Sequence, residues 1–175
     1  MIRIISESEL IKKKQKKLSR TLHIKIKFEG NEIVLEGTGD NEYIAEKVIE
    51  AINFGFSVPN ALLIKEEDFL FEILDIKDYT RKKDLKMVRA RVIGTGGKTL
   101  GTLLTLTNCH FEIKDNRVGI IGDPEAMLNA QNAVMSLIRG SKQANVYAFL
   151  EKHRVKPIWD LGLKPVKKRK KSSKE

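Results

Sequence analysis

The residues of this chain best suited to chemistry form a glycine-rich segment, Gly94-Thr95-Gly96-Gly97. Glycine has no Cβ, so such a turn lets the backbone come close to a ligand. Hydrophobic periodicity predicts helices on both sides, over residues 85–93 and 98–107. The N–H groups and the positive dipole end of the second helix would then point toward the turn. This combination predicts a phosphate-binding site, to which nearby cations can add charge: Arg89, Arg91 and Lys98.

Two nucleotide-binding motifs resemble this segment without matching it. The ending Gly97-Lys98-Thr99 mimics a P-loop, but a P-loop needs glycine where Val92 stands and a strand leading into the loop. A dinucleotide-binding fingerprint needs a third glycine at the position that Thr99 occupies. We therefore expect neither nucleotide hydrolysis nor dinucleotide binding. A plain helix-to-helix turn, whose glycines only permit tight geometry, remains an alternative.

Residues suited to catalysis or metal binding form no such pattern. The single cysteine, Cys109, cannot make an internal disulfide or a zinc cluster alone. The three histidines are far apart in sequence and lack the spacing of metal ligands: His23, His110 and His153. Five aspartates of the second half fall at predicted turns or helix caps: Asp75, Asp78, Asp84, Asp115 and Asp123. We expect no enzymatic activity, no catalytic residue, no metal site and no cofactor.

The formal net charge of the 175-residue chain is +10, and much of it is concentrated at the C-terminal end. Residues 164–175 carry seven Lys or Arg and one acid, and a second basic run covers residues 12–17. Such runs attract polyanions without reading sequence. A nucleic-acid partner and a solvated, disordered tail both fit this charge. The chain lacks an apolar stretch of membrane-spanning length and a secretory signal, so we expect a cytoplasmic protein without a membrane partner.

The sequence also contains an internal repeat. In each half, two strands joined by a turn are followed by a capped helix, and Gly37 matches Gly122 in this pattern. The further pairs lie between 85 and 87 residues apart: His23 and His110, Val48 and Val134, Ile52 and Ile138, Asn60 and Asn145. Before these elements, the second half adds a strand, a helix, the glycine turn and another helix. This order predicts an α+β fold with helices on one face of a small antiparallel sheet.

The segment around the glycine turn resembles a type I KH domain, whose GxxG loop clamps about four nucleotides. Four segments are similar to one family in particular, the archaeal form of the Partner of Nob One proteins of small-subunit ribosome maturation: residues 69–76, 91–94, 120–125 and 146–151. The resemblance implies a non-enzymatic RNA-binding protein with two tandem type I KH units packed as a pseudo-repeat. It also implies binding to single-stranded (pre-)rRNA near the 3′ end of small-subunit rRNA, and partnership with the small ribosomal subunit, the 3′-end endonuclease and the α subunit of initiation factor 2.

Carried over to this sequence, the resemblance gives a set of RNA-binding residues. They are the loop Gly94, Thr95, Gly96 and Gly97, its flanks Ile93 and Lys98, the strand residues Phe111 and Ile113, and the cations Arg89, Arg91, Lys114 and Arg117. Thr95 and Gly96 stand where the family usually has a basic residue. The loop therefore keeps its geometry but lacks that charge.

The first half departs further from the family. Matching residues 3–5 with residues 91–93 places Ser6-Glu7-Ser8-Glu9 at the clamp and leaves the preceding strand and helix largely absent. We therefore predict a truncated, degenerate first KH unit over residues 1–64, a KH domain with a GxxG loop over 65–155, and a basic, disordered tail over 156–175. Two alternatives stay open. One is a protein-interaction adaptor whose loop binds RNA weakly or not at all, and the other is the paralogous KH assembly factor of the small subunit.

Overall fold

The computed structural model describes residues 1–5 and 9–154 of the chain, and the predicted tail lies outside them. Its first part contains three strands and three helices: β1 (Ile2–Ile5), α1 (Glu9–Leu22), β2 (Lys25–Glu29), β3 (Glu32–Glu36), α2 (Gly39–Phe54) and α3 (Val58–Glu66). The domain boundary predicted after residue 64 falls in the last turn of α3.

The second part begins four residues later and adds a helix. Its elements are β4 (Leu70–Asp75), α4 (Leu85–Ile93), α5 (Lys98–Thr107), β5 (His110–Lys114), β6 (Arg117–Gly122), α6 (Pro124–Arg139) and α7 (Gln143–Lys152), with short 3₁₀ turns at Ile76–Tyr79 and Thr95–Gly97. The bounds of α4 and α5 are those that the sequence predicts. At α6 the predicted signals are also confirmed, because Asp123 caps its first turn, Pro124 opens the helix and Gly140 ends it in a left-handed conformation.

In each part, three strands form an antiparallel sheet, and the strand that comes last in the sequence lies in the middle. The strand orders are β1-β3-β2 and β4-β6-β5. The predicted α+β fold of two KH-like units is therefore confirmed. In the second unit, β5 is an edge strand, and one side of it remains open beside α5.

The internal repeat is confirmed, with a uniform offset of 85 residues from the end of α1 onward. The predicted pairs Gly37 and Gly122, and Asn60 and Asn145, have this offset, whereas three others are out of register by one or two positions: His23 and His110, Val48 and Val134, Ile52 and Ile138. Gly39 opens α2 and Pro124 opens α6, while Val58 opens α3 and Gln143 opens α7. Side-chain packing repeats at the same offset. A Cβ on Gly37 would lie 2.9 Å from Ile24 Cγ2, and one on Gly122 would lie 3.0 Å from Cys109 Cβ. The equivalent glycines make room for equivalent neighbours.

The alignment predicted at the N-terminus is wrong. Residues 3–5 belong to β1, which pairs with the central strand β3 as β4 pairs with β6. Ile5 lies opposite Glu32, and its counterpart Asp75 lies opposite Arg117. The first strand of the unit is therefore present, and the missing part is the helix equivalent to α4 with its glycine loop. At the 85-residue offset, residues 9–12 in the first turn of α1 stand where the second unit has residues 94–97, whereas the predicted alignment placed residues 6–9 there.

The two units pack on each other through one face of the second sheet. Ile121 of β6 belongs to the buried core of the first unit, and Phe71 of β4 packs against that core. Phe54, Phe56 and Phe71 have ring centroids 5.8–6.2 Å apart. Gly119 leaves the space that these rings fill, because a Cβ there would lie 2.7 Å from Phe54 and 2.8 Å from Phe56. The second sheet thus has α4–α6 on one face and the first unit on the other.

Candidate nucleic-acid interface

The glycine segment forms a tight, exposed turn between α4 and α5. Gly94 ends α4 with φ 75° and ψ 168°, and Gly96 and Gly97 are left-handed with φ 60° and 77°. The N–H of Gly97 donates to the carbonyl oxygen of Gly94 over 3.1 Å. These angles are open to glycine and unfavourable for most other residues, so the sequence forms this turn because of its glycines.

The glycines of the turn have two different roles. A Cβ on Gly94 would lie 2.7 Å from the backbone nitrogen of Thr99, so this glycine lets α4 contact the start of α5. A Cβ on Gly96 or Gly97 would have no heavy atom within 4 Å. Within the described part of the chain, no side-chain hydrogen bond caps the N-terminus of α5. The turn therefore presents open backbone and a helix N-terminus to an anion.

A hydrogen bond that the sequence analysis did not predict connects the start of α5, next to this turn, with α7. Thr99 is buried at the start of α5, and its Oγ1 accepts a hydrogen bond from Gln143 Nε2 over 2.7 Å. Gln143 is the first residue of α7 and lies 44 positions away in sequence. No local signal marks such a pair, because it depends on how α7 packs against α5. The contact ties the loop to the last described helix.

Beside the turn, α5 packs on the edge strand β5, and the surface between these two elements is the candidate groove. Phe111 and Ile113 lie partly buried on the face of β5 that packs on the second core, and Ile93 ends α4 partly buried. This arrangement supplies an aliphatic and aromatic surface of the kind on which nucleotide bases lie. Lys98 is exposed at the first position of α5. The structure therefore places Ile93 and Lys98 at the two ends of the turn, and Phe111 and Ile113 on the strand that packs beside α5.

Two of the predicted cations make contacts within the second unit. Arg89 Nη1 donates to the carbonyl oxygen of Asp115 over 2.9 Å, which ties α4 to the turn between β5 and β6. Arg91 Nη1 lies 3.0 Å from where a Cβ on Gly140 would be, beside the C-terminal end of α6. A cation there is favoured by the negative end of the helix dipole. Neither guanidinium points at the glycine turn.

The other two predicted cations contact the first unit. Lys114 Nζ donates to the carbonyl oxygen of Asn53 over 2.8 Å. The guanidinium of Arg117 lies over the ring of Phe54, 5.7 Å from its centroid, which is the distance of a cation–π contact. Both side chains thus connect β5 and β6 to the end of α2. Of the five predicted cations, Lys98 is the one beside the turn.

The remaining polar residues of β5 lie on its other face. Partial burial lowers the pKa of His110 and raises the pKa of Glu112, since burial disfavours the charged form of each. The thiol of Cys109 is buried just before the strand, and this burial raises its pKa. A buried thiol with a raised pKa is a poor nucleophile.

A cleft of about 410 Å³ lies at the other end of α5. Its lining mixes apolar residues with charged and polar ones and includes Phe69, Leu106, Asp123, Leu150 and His153. None of the predicted RNA-binding residues lines it. Within residues 1–5 and 9–154, no group of three or more His, Cys, Asp or Glu side chains could hold a metal ion. In the same residues, no helix is long and apolar enough to cross a membrane.

The two sheets, the helix order and the glycine turn define a tandem type I KH fold. Residues 70–155 match a family model for the second KH domain of Pno1, a eukaryotic-type (type I) KH domain. A KH domain-containing protein of Methanocaldococcus jannaschii is 30% identical over 149 residues, which cover 81% of this chain and 66% of that protein. The pre-rRNA-processing protein pno1 of Aspergillus oryzae is 32% identical over 111 residues, 61% of this chain and 43% of that protein.

Solved structures give the same relationship. Dim2p from Pyrococcus horikoshii superposes with a TM-score of 0.77 at 25% identity, over 86% of this chain and 98% of that chain. The same archaeal protein in a complex with a/eIF2alpha and rRNA superposes with a TM-score of 0.78 at 24% identity, over 87% and 93% of the two chains. The chain belongs to the Pno1/Dim2 family of KH-domain proteins, as its sequence predicts. It spans 66% of the Methanocaldococcus relative and less than half of the Aspergillus one.

Proposed function

We propose that this protein binds single-stranded (pre-)rRNA near the 3′ end of small-subunit rRNA and acts in ribosome biogenesis without catalysing a reaction. The observation that carries the proposal is the turn at residues 94–97, which leaves the space above Gly96 and Gly97 open beside the N-terminus of α5. Family membership supports the same assignment, since the Aspergillus relative is named as a pre-rRNA-processing protein.

The geometry gives each element of the site a role in binding. Phosphates approach the backbone N–H groups of the turn, which an added Cβ would obstruct. Bases lie along the groove between α5 and β5, against the side chains that it exposes. The residues that we assign to this contact are Ile93, Gly94, Thr95, Gly96, Gly97, Lys98, Phe111 and Ile113.

The strength of the contact follows from where the charges are. Thr95 and Gly96 carry no charge, and four of the five cations near the groove make contacts elsewhere in the fold. Binding by the loop therefore depends mainly on backbone dipoles and base contacts, with a shallow salt dependence. The basic residues from Lys164 onward add a steeper, salt-sensitive component. Deleting the chain from Lys164 should lower affinity chiefly at low salt.

The partners follow from the same assignment. We place the protein in the cytoplasm with the small ribosomal subunit, the endonuclease that trims the 3′ end, and the α subunit of initiation factor 2. The Pyrococcus Dim2p is in a complex with a/eIF2alpha and rRNA, which supports the last partner and the rRNA ligand. The endonuclease rests on the family resemblance of the sequence.

Changing Gly96 to Asp should weaken binding to a short single-stranded RNA from the 3′ end of small-subunit rRNA by about tenfold or more. The carboxylate would lie where a phosphate approaches, and repulsion combines with the lost space. The double variant Gly96→Asp, Gly97→Asp should bind still more weakly. Fluorescence anisotropy with labelled RNA measures both.

The matched control is Gly30→Asp in the turn between β2 and β3. Gly30 has φ 61°, and a Cβ there also has no heavy atom within 4 Å, as at Gly96. The same charge and the same backbone strain are thus added away from the groove, and RNA affinity should stay near that of the wild type. Unchanged affinity in the Gly96 variants would contradict loop-dependent binding and favour the adaptor alternative.

A further inference from the structure

The outer face of α1 carries a dense set of cations whose orientation is fixed by the core. Ile11, Leu18 and Leu22 are buried on the opposite side of the helix. Gln15 Nε2 donates to the carbonyl oxygen of Ile26 over 2.7 Å and ties α1 to the edge strand β2. The exposed cations are Lys12, Lys13, Lys14, Lys16, Lys17 and Arg20. The core therefore holds six positive charges outward on one helix.

These charges are largely uncompensated. Within the described residues, the ion pair on this face joins Lys13 to Glu9, with 3.7 Å between Nζ and Oε2 and both side chains exposed. Such a pair is weak in water. Lys12 lies over the ring of Phe28 at 5.9 Å, a contact that keeps its charge. The face thus presents a strong positive potential to solvent.

The internal repeat allows the charged helix α1 to be compared with its counterpart in the second unit. α1 is the counterpart of α5, and β2 is the counterpart of the edge strand β5. The first unit keeps this helix and strand, but among its described residues a single helix lies between β1 and β2, and the sequence has no glycine between these strands. On α5 the one cation is Lys98. The first unit therefore has point charges where the second has a backbone clamp.

The side chains of this face restrict what it can bind. The outer face offers no glycine for a close backbone approach and no aromatic ring on which a base could stack. Long ammonium and guanidinium groups contact phosphate oxygens without reading bases. Residues four apart are about 6 Å apart along a helix, and the six cations spread over more than half of its circumference. Such a face meets phosphates on two sides at once, as the two strands of a duplex present them.

We propose that the outer face of α1 binds the sugar–phosphate backbone of double-stranded RNA, as a second RNA-binding surface separate from the glycine loop. The surface extends the proposed function, because it would hold a helical part of the rRNA while the second unit holds a single strand. It does not depend on the loop. Its contacts are electrostatic, so they weaken steeply with salt and are independent of sequence.

The test uses the full chain with the substitutions Lys16→Gln, Lys17→Gln and Arg20→Gln, which remove three charges and place a good helix former at each position. The matched control removes three exposed charges from scattered positions of the second unit: Lys77→Gln, Lys83→Gln and Lys152→Gln. Each protein is titrated at several salt concentrations with a sequence-unrelated RNA duplex and with the 3′-end single strand. Circular dichroism checks that α1 remains folded.

The α1 variant should bind the duplex about tenfold or more weakly near physiological salt, with the slope of log affinity against log salt reduced by about two to three. In the control variant with scattered substitutions, the duplex affinity and the salt slope should change much less. For the single-stranded RNA, the α1 variant should have the affinity of the wild type. The Gly96→Asp variant should lose affinity for the single strand and keep its affinity for the duplex. Failure of the loop proposal and failure of this one are thus distinguishable.

Three outcomes would overturn the proposal. The folded α1 variant could bind the duplex as the wild type does. The scattered control could lose as much affinity as the α1 variant, which would mean that net charge alone decides. The wild type could also bind vesicles of anionic phospholipid through α1 and leave the duplex unbound, which would assign the face to a membrane surface.

Discussion

Replacing Phe56 by alanine should lower the free energy of unfolding by about 3–5 kcal/mol, as expected for a large aromatic side chain removed from a core. Phe56 is 1% exposed, in the link between α2 and α3. Its ring lies 5.8 Å from that of Phe71 in β4 and 6.1 Å from that of Phe54. Because Gly119 leaves no side chain to fill the gap, the cavity would open where the two units meet. Chemical denaturation followed by circular dichroism measures the loss.

The control for Phe56 is Phe149→Ala on α7. Phe149 is 37% exposed and packs its ring on His153, 4.4 Å between centroids, so its removal leaves no enclosed cavity. We expect it to cost about 1 kcal/mol or less. The wild type should unfold in a single transition, because the second sheet contributes to the core of the first unit. A Phe56 variant as stable as the Phe149 variant would contradict a shared core.

The elements that could be predicted are those with strong local signals. The helix at Pro124–Arg139 has its cap, proline and closing glycine within the segment itself, and β5 and β6 alternate around a two-residue turn. In that turn, Asp115 adopts φ 55°, which Asp tolerates better than most residues. The glycine turn was equally predictable, because its conformation is set by the residues that compose it.

The error at the N-terminus has a physical cause. β1 is four residues long, and its strand pairing is made with β3, about thirty residues away. Nothing local distinguishes the sequence Arg3-Ile4-Ile5 from the end of a helix, and it is similar to Arg91-Val92-Ile93. The sheet decides between the two, because an unpaired edge of β3 would leave buried residues uncovered. Whether so short a segment forms a strand therefore depends on the strand with which it pairs.

In the candidate site, too, local features could be predicted from the sequence and long-range contacts could not. The glycine turn and the helix and strand beside it could be predicted from order and spacing, whereas the positions of the cations could not. Lys114 and Asn53 are 61 residues apart, and Arg89 and Asp115 are 26 apart. The sequence shows that a lysine or arginine carries a charge on a long side chain. Tertiary packing determines which acceptor that side chain reaches. The assignment of these residues to RNA contact stays a prediction.

Replacing Gly94 by alanine should abolish loop-dependent RNA binding and destabilise the fold by about 2–5 kcal/mol. Gly94 has φ 75° and ψ 168°, a conformation that is nearly restricted to glycine. The new Cβ would also lie 2.7 Å from the backbone nitrogen of Thr99, so α5 would have to move at its first turn. That movement would break the hydrogen bond from Gln143 to Thr99. Thermal unfolding and RNA titration measure the two effects.

The comparison that isolates this mechanism is Gly96→Ala, two residues along the same turn. Gly96 is left-handed, with φ 60° and ψ 27°, and a Cβ there meets open space. Alanine should therefore cost about 1–2 kcal/mol from backbone conformation alone. It should also weaken RNA binding less than Gly96→Asp does, because it adds bulk without charge. If Gly94→Ala and Gly96→Ala were equally stable, the close contact between Gly94 and Thr99 would not be holding the turn.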